Sequence, residues 1–124
     1  MEYSSGAVVF YIENDVTYFV MIQELSGNWG FPKGHCEGTE TLKETAVREI
    51  QEEIDAEVTF PIPFERTIKY VLYEQQTEKE VTYYLAQTTT RKFTKADDIL
   101  DLQVCPYSEA DQLLGFTDLK TILR

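Results

Sequence analysis

Hydrophobic and polar residues are arranged along this chain in a way that predicts two β-hairpins separated by one amphipathic helix. Residues 6–12 and 16–23 are rich in β-branched and aromatic side chains, and they flank the short polar segment 13–15. This pattern is typical of two strands joined by a tight turn. In the second run, apolar residues occupy both parities, so we expect a strand that is covered on both faces.

A helix is predicted over residues 42–54. Thr41 and Glu44 form the S/T-x-x-E pattern of a capping box directly before it. At about 100° per residue, one arc of the helix is apolar and contains Ala46, Val47, Ile50 and Ile54. A neighbouring arc is acidic and contains Glu49, Glu52 and Glu53. One stripe is therefore expected to pack and the next to present carboxylates.

The rest of the chain reads as strands with two short helices. Residues 57–60 form a short strand, and residues 66–73 and 80–88 form a second hairpin around the polar turn 76–79. A further strand covers 99–105, Ser108 can cap a helix that runs to residue 114, and 117–124 is a last helical segment. Because strands and helices are interleaved without strict βαβ alternation, the sequence predicts one α/β (α+β) domain over residues 1–124, with a mixed sheet between helices.

Charge and composition narrow the function. The formal net charge is −11, which argues against basic patches for extended nucleic acid or for anionic membranes. Phosphate groups could therefore be bound only with the help of cations. No apolar run approaches the roughly 18 residues of a membrane-spanning helix. Cys36 and Cys105 lack metal-site spacing, so we expect reduced thiols in a cytoplasmic protein that is a monomer or a homodimer.

The acidic arc of the helix is a candidate metal centre. Glu49, Glu52 and Glu53 lie within about one and a half turns and repel one another unless a cation binds several of them. Hard oxygen ligands of this kind suit Mg²⁺ or Mn²⁺. Such an ion could bind phosphate oxygens and lower the pKa of a coordinated water. The alternative is that these acids are only the solvated face of a helix in an acidic protein.

The spacing of residues around this helix resembles the box of the Nudix hydrolase family, G-x5-E-x7-R-E-U-x-E-E-x-G-U, where U is a bulky aliphatic residue. The matching positions are Gly34, Glu40, Arg48, Glu49, Ile50, Glu52 and Glu53. The chain departs from the pattern at Asp55, where the family has Gly, and at Ala56, where it has a larger aliphatic residue. Since Asp can adopt the left-handed conformation at some cost, we expect altered geometry at the helix exit and retained catalysis.

The resemblance implies a Nudix fold and metal-dependent hydrolysis of a nucleoside diphosphate linked to another group. Glu49, Glu52 and Glu53 would be metal ligands, together with the main-chain carbonyl of Gly34. One of the three would instead serve as the base that deprotonates the attacking water, and we expect Glu52 in this role, with Glu49 as the rival.

The same resemblance gives Arg48 a role at the site. It would orient a glutamate through charge-assisted hydrogen bonds. Its alternative role is that of a surface partner for Glu44, which lies four residues earlier on the helix. Glu40, just before the helix, is expected to be structural and not a ligand.

The segment 29–35, W-G-F-P-K-G-H, is similar to the W-x-x-P-K-G-H segment of the asymmetric diadenosine tetraphosphate hydrolase branch of that family. Lys33 would contact a phosphate that is not held by metal. His35, the only histidine, would donate to a phosphate or to the loop backbone. The branch implies a small-molecule nucleotide substrate, most directly diadenosine tetraphosphate cleaved to ATP and AMP.

Two later residues are candidates from the same similarity. Tyr83 would stack on a nucleobase, although packing within the strand is an equal alternative. Asp98, preferred over Asp97, would complete the acidic site from a late loop. Other substrates also fit the family: nucleoside triphosphates, nucleotide sugars and RNA 5′ ends. A domain that senses a nucleotide without hydrolysing it is the alternative outside catalysis, and it would be expected to have damaged box carboxylates, which this sequence does not have.

Overall fold

The structure, a computed structural model, describes residues 2–61, 63–72 and 77–114, with the main chain alone for Glu2, residues 70–72 and Thr77. The predicted segment 117–124 lies outside the described residues. Within them the chain forms eight strands and two helices: β1 (Glu2–Glu13), β2 (Val16–Glu24), β3 (Trp29–Gly30), β4 (Lys33–His35), α1 (Leu42–Ile54), β5 (Val58–Thr59), β6 (Glu65–Leu72), β7 (Thr77–Thr88), β8 (Ile99–Pro106) and α2 (Tyr107–Leu113).

The eight strands form one mixed sheet. Its centre is the parallel pair β1 and β7, and the remaining pairs are antiparallel. On one side β2 follows β1 and β8 follows β2, whereas β5 and β6 share the outer edge of β7. Helix α1 packs on one face and α2 on the other, so the prediction of a mixed sheet between helices is confirmed.

The strands of the first hairpin, β1 and β2, pair next to a tight turn and diverge further from it. Asn14 and Asp15 both have positive φ (51° and 64°), as a two-residue type I′ turn requires. β1 pairs with β2 only from Phe10 to Glu13. Further from the turn, β1 pairs with β4 and β2 pairs with β3. The segment 29–35 therefore fills the gap between two diverging strands, which fixes it against the centre of the sheet.

Two apolar cores lie on the two faces of the sheet. The consecutive residues Val20, Met21 and Ile22 are all buried, which confirms that β2 is covered on both faces. Side chains of one parity pack beneath α1: Ala7, Val9, Val20, Ile22, Tyr84 and Ala86. Side chains of the other parity pack beneath α2: Val8, Met21, Val81, Tyr83 and Cys105. The alternation along a strand divides neighbouring residues between the two layers.

Helix α1 has the predicted bounds and the predicted capping box. The Thr41 side chain accepts from the main-chain N–H of Glu44, and the Glu44 carboxylate accepts from that of Thr41. Ala46, Ile50 and Ile54 are fully buried. The prediction for Val47 is wrong, because its side chain is 40% exposed. At about 100° per residue it lies at the margin of the buried stripe.

The later elements agree with the sequence except at their ends. β6 and β7 form the predicted antiparallel hairpin. Residues 77–79, predicted as part of its turn, belong to β7, and residue 76 lies outside the described residues. The prediction that Ser108 caps the following helix is wrong, since α2 begins at Tyr107 after Pro106 without a side-chain cap. No described helix combines the length and apolar character needed to span a membrane.

Candidate active site

Helix α1 packs closely on strand β4 at Gly34, where a side chain would have no space unless the Glu49 carboxylate moved. Gly34 pairs with Ser5 of β1, and its Cα faces the helix. A Cβ built on Gly34 would overlap the carboxylate of Glu49. The absence of a side chain at Gly34 therefore lets the Glu49 carboxylate lie directly against the main chain of β4, as close backbone approach by glycine permits. The Gly34 main chain and Glu49, two predicted site groups, are thus brought together.

Arg48 joins two of the predicted acids. Its Nη1 donates to Glu49 Oε1 at 2.8 Å and to Glu52 Oε2 at 3.1 Å. Its Nη2 donates to the main-chain oxygen of His35 at 2.9 Å. The guanidinium group therefore holds both carboxylates and ties the helix to the segment 29–35. The two acids differ in environment, since the Glu49 side chain is 13% exposed and that of Glu52 is 58% exposed.

Glu40 fixes Arg48 from the other side. Its carboxylate accepts from Arg48 Nε at 2.8 Å, and also from Thr45 Oγ1 and the main-chain N–H of Glu37. The hydrogen bond from Arg48 is the main reason that the pKa of Glu40 falls to about 2. Glu40 contacts Arg48 and not the other acids of the helix, which fits the structural role expected for it. The alternative pairing of Arg48 with Glu44 is wrong, because Glu44 is engaged in the capping box.

Glu53 is the most buried acid in the group. It accepts a hydrogen bond from the main-chain N–H of Lys33 at 3.3 Å. Burial raises its pKa to about 8, and the nearby carboxylates of Glu49 and Asp98 add to that shift. Burial also raises the pKa of Glu49. These two carboxyls thus carry an electrostatic cost that a cation between them would relieve.

The donors at this site fit a divalent metal ion, although they are not arranged around one. Among the described residues, no three His, Cys, Asp or Glu side chains are grouped closely enough to hold a metal by side chains alone. Glu52 is instead bound to Arg48, and its side chain is 58% exposed. Glu49 and Glu53 offer hard oxygen donors beside the main chain of Gly34, and two carboxyls whose pKa is raised by burial suit a dication.

A main-chain contact that sequence analysis missed places the end of α1. The loop 93–98 donates from Thr94 N–H to the Ile54 oxygen and from Ala96 N–H to the Glu53 oxygen. It thereby occupies carbonyls at the helix C-terminus and brings Asp98 close enough to raise the pKa of Glu53. Main-chain donors leave no signature in residue types, so no pattern could have indicated this contact.

The two departures from the Nudix box are accommodated at the helix exit. Asp55 has the left-handed conformation (φ 55°, ψ 48°), and its N–H donates to the Gln51 oxygen. This confirms that Asp adopts the backbone conformation expected at that position. Ala56 is buried in the core beneath α1, where a larger aliphatic side chain would need more space.

Lys33 and His35 lie at the rim of the acidic group. The ammonium of Lys33 pairs with Glu24 at 3.3 Å, and its side chain is half-buried. Glu24 was not among the residues singled out from the sequence. The His35 side chain is exposed, and its main-chain oxygen is held by Arg48. The lysine is therefore positioned by an ion pair, and it would have to exchange Glu24 for a phosphate in order to bind one.

Tyr83 requires a correction. Its side chain is only 2% exposed and packs edge-to-face against Phe31, with ring centroids 5.7 Å apart. It lies in the core beneath α2, so its ring offers no face to a nucleobase in this conformation. The alternative of packing within the strand is what the structure has. The following residue, Tyr84, points to the opposite face, beneath α1.

Comparisons with known proteins agree on one family. The NUDIX domain family matches residues 3–124. The chain is 34% identical to the asymmetrical bis(5′-nucleosyl)-tetraphosphatase of Sus scrofa and 36% identical to that of Mus musculus, in each case over 91% of this chain and 80% of the relative. Its fold is similar to that of a C. elegans Ap4A hydrolase in a binary complex, with a TM-score of 0.91, 21% identity, and coverage of 100% of this chain and 93% of the other.

Proposed function

This chain belongs to the Nudix hydrolase family, and we propose that it hydrolyses dinucleoside polyphosphates, with diadenosine tetraphosphate cleaved to ATP and AMP. The similarity to asymmetrical tetraphosphatases extends over most of the chain. The observation that carries the proposal is the approach of Glu49 to Gly34 within the segment 29–35. That contact puts the acids of α1 beside the residues that resemble the substrate-specific part of this branch.

Nudix hydrolases generally use a divalent metal ion, and we propose Mg²⁺ or Mn²⁺ here. The ion would be held by Glu49, Glu53 and the main-chain oxygen of Gly34, with Glu52, which Arg48 positions, as a further ligand. When bound, it supplies positive charge to the phosphate oxygens. The support for these ligands is the burial of both acids, which raises the pKa of each and makes its ionised form unfavourable without a cation.

The remaining roles follow from exposure and contacts. Hydrolysis joins the oxygen of water to a phosphorus atom, breaks one P–O–P bridge and leaves a proton to be accepted. Glu52 is the proposed acceptor because its carboxylate reaches solvent while Arg48 fixes its position. Glu49 remains the rival for this role. Arg48 acts as a positioning residue for both.

Lys33, His35 and Asp98 are proposed at the edges of the substrate. Lys33 carries a cation at the end of the segment that fills the gap between β1 and β2, so it would pair with a phosphate after leaving Glu24. His35 would donate to a phosphate from its exposed position. Asp98 would complete the acidic group from the loop 93–98, which the helix end holds in place.

The decisive experiment is hydrolysis of diadenosine tetraphosphate in ¹⁸O-labelled water with Mg²⁺ and with Mn²⁺. Mass spectrometry of the products should show ATP and AMP, and the labelled product identifies the phosphorus that was attacked. A parallel panel should contain nucleoside triphosphates, nucleotide sugars and a capped RNA 5′ end. If compounds of the panel were hydrolysed and diadenosine tetraphosphate were not, the proposed substrate would be wrong. If nucleotides bound and none was hydrolysed, the protein would be a nucleotide sensor.

A further inference from the structure

A second pocket lies on the edge of α1 away from the acids. We name the side of α1 that carries Glu49 and Glu53 the acid edge, and the side that carries Lys43 the aromatic edge. Lys43 and Glu49 are about 120° apart around the helix axis at 100° per residue. The pocket on the aromatic edge has a volume of about 270 Å³ and is lined by Lys43, Phe60, Pro63, Phe64, Glu65 and Tyr84.

The walls of this pocket are aromatic. The rings of Phe60 and Tyr84 meet edge-to-face with centroids 5.8 Å apart. Phe64 is covered on one side by the guanidinium group of Arg66, 4.7 Å from its ring centroid. Tyr84 is nearly buried, whereas Phe60 and Phe64 are half-buried. The half-buried rings leave aromatic surface on which a planar group could stack.

Charged groups stand at fixed places around these rings. The ammonium of Lys43 lies over both rings of the pair, 5.4 Å from the centroid of Phe60 and 5.8 Å from that of Tyr84. Glu65 accepts a hydrogen bond from the Tyr84 hydroxyl at 3.0 Å through Oε1. Its Oε2 has no hydrogen-bond donor within the described part of the chain. The pocket thus combines a cation at its rim with a carboxylate oxygen that can accept one further hydrogen bond.

The charge of the pocket lining differs from that of the protein. Lys43 and Glu65 balance each other in the lining, and Arg66 lies over Phe64 next to it, in a chain whose net charge is −11. A cationic ligand would be repelled by the ammonium that already lies over the rings. An anionic group would instead gain a partner in Lys43 while a planar ring stacked on Phe60 or Phe64.

We propose that this pocket binds an adenine mononucleotide at a site separate from the acid edge. The base would stack on the aromatic wall, its exocyclic amino group would donate to Glu65 Oε2, and its phosphate would pair with Lys43. A volume near the lower end of small-molecule pockets suits one nucleoside and not a dinucleotide. The proposal does not depend on the hydrolytic activity, since none of these residues belongs to the acid edge.

The test measures AMP binding by isothermal titration calorimetry in EDTA, so that no metal-dependent site contributes. Two probes separate the contacts: adenosine lacks the phosphate, and purine riboside 5′-monophosphate lacks the amino group. We expect AMP to bind one site and each probe to bind at least about tenfold more weakly, as the loss of one charge-assisted contact predicts. Chemical-shift changes in ¹⁵N spectra should be concentrated around Phe60, Glu65 and Tyr84.

Variants make the assignment specific. Lys43→Ala should weaken AMP binding about tenfold and change adenosine binding much less, because adenosine lacks the phosphate that pairs with Lys43. Phe60→Leu should weaken both ligands. Lys92→Ala, which removes an exposed lysine of a loop, is the matched control and should change neither. Thermal unfolding checks that each variant is folded. If Phe60→Leu does not fold, the comparison of AMP with adenosine binding in Lys43→Ala still decides the test.

Three results would overturn the proposal. One is the absence of AMP binding in EDTA. Another is equal AMP affinity in the wild type and in Lys43→Ala. The third is loss of binding in Glu53→Gln with no change in Lys43→Ala, which would place the nucleotide at the acid edge instead.

Discussion

The charged groups on the two edges of helix α1 lie in opposite environments. On the acid edge, burial raises the pKa of Glu49 and Glu53, so their ionised forms are unfavourable in the folded protein. On the aromatic edge, the ammonium of Lys43 stays exposed and lies over two rings. A cation in that position keeps its hydration and gains attraction from the ring faces.

This difference shows which edge of the 13-residue helix α1 lowers the stability of the fold. On the aromatic edge, Lys43 lies over two rings and Glu65 accepts a hydrogen bond from the Tyr84 hydroxyl. The acid edge is held in an unfavourable state by the packing of Ile50 and Ile54 on one side and by the loop 93–98 on the other. Carboxyl groups whose pKa is raised by burial are typical of a functional site. Substitutions on the acid edge should therefore change activity and stability in different directions, which the following predictions use.

The largest effect is expected from Glu52→Gln. Losing the proposed proton acceptor should lower kcat for diadenosine tetraphosphate by about 10² to 10⁴-fold. Because the Glu52 side chain is 58% exposed, the free energy of unfolding should change by less than about 0.5 kcal/mol. The measurements are initial rates at saturating substrate and metal, and thermal unfolding.

Glu57→Gln provides the matched control, because it removes an exposed carboxylate just beyond the helix. Its kcat should equal that of the wild type. Glu49→Gln tests the rival base in the same assay. Unchanged kcat in both Glu49→Gln and Glu52→Gln would remove the acid edge from catalysis.

A second prediction compares Gly34, which lies within the segment 29–35, with Gly6, which lies opposite that segment on β1. Ala at position 34 would contact the Glu49 carboxylate, a flexible group that can turn away, so we expect kcat to fall about 10²-fold with little change in stability. Ala at position 6 would overlap the main-chain oxygen of Pro32 and lie 2.7 Å from the Cα of Lys33. That backbone cannot move freely, so Gly6→Ala should destabilise the protein by about 1 to 3 kcal/mol.

Chemical denaturation and kcat for the two variants separate these effects. If Gly34→Ala were the less stable variant, the close approach to Glu49 would be a packing requirement of the fold. If it kept full activity, the position of the Glu49 carboxylate would not matter for hydrolysis.

The sequence predicted helix α1 well because its signals are local. The capping residues, the apolar stripe and the acids all lie within one helix, and their relative directions follow from helical geometry. The spacing to Gly34 added the resemblance to a family box. Even so, the partner of Arg48 had two alternatives, and only the packing of the helix on β4 decided between Glu49 and Glu44.

The aromatic edge could not be predicted in the same way. Phe60 and Tyr84 meet because β5 and β7 pair across the outer edge of the sheet, and Lys43 reaches them from the helix. The prediction that Tyr83 stacks on a nucleobase was wrong for a related reason. Adjacent strand residues face opposite layers, and the layer is set by strand pairing, which residue types do not encode.

A third effect concerns the stability of the protein and depends on Glu53 without metal. Its pKa in the folded protein is about 8, against an ordinary value of 4.5. The folded state therefore binds the proton more tightly than the unfolded state does. The stability contributed by this carboxyl is full below pH 4.5 and is lost as the pH rises to about 8. The loss is about 5 kcal/mol at most.

Glu53→Gln should remove that loss. In EDTA at pH 8 the variant should be more stable than the wild type, and the difference should shrink toward pH 5. Adding Mg²⁺ at pH 8 should raise the unfolding temperature of the wild type and have little effect on the variant. A variant that is less stable than the wild type at every pH would show that Glu53 is not strained in the folded protein.

The smallest effect is expected at the helix exit, which belongs to neither edge. Asp55 holds a left-handed backbone that glycine adopts without steric cost. Asp55→Gly should raise the free energy of unfolding by about 0.5 kcal/mol, because relief of that cost exceeds the added entropy of the unfolded chain. Asp55→Ala should lower it, since alanine keeps the steric cost of a Cβ and lacks the short polar side chain that lets Asp tolerate the left-handed conformation. Denaturant titration resolves both changes, and kcat should stay constant in the glycine variant, because the loop 93–98 holds the carbonyls of Glu53 and Ile54 independently of residue 55. A fall in kcat with raised stability would instead mean that the exit geometry set by Asp55 tunes the acid edge.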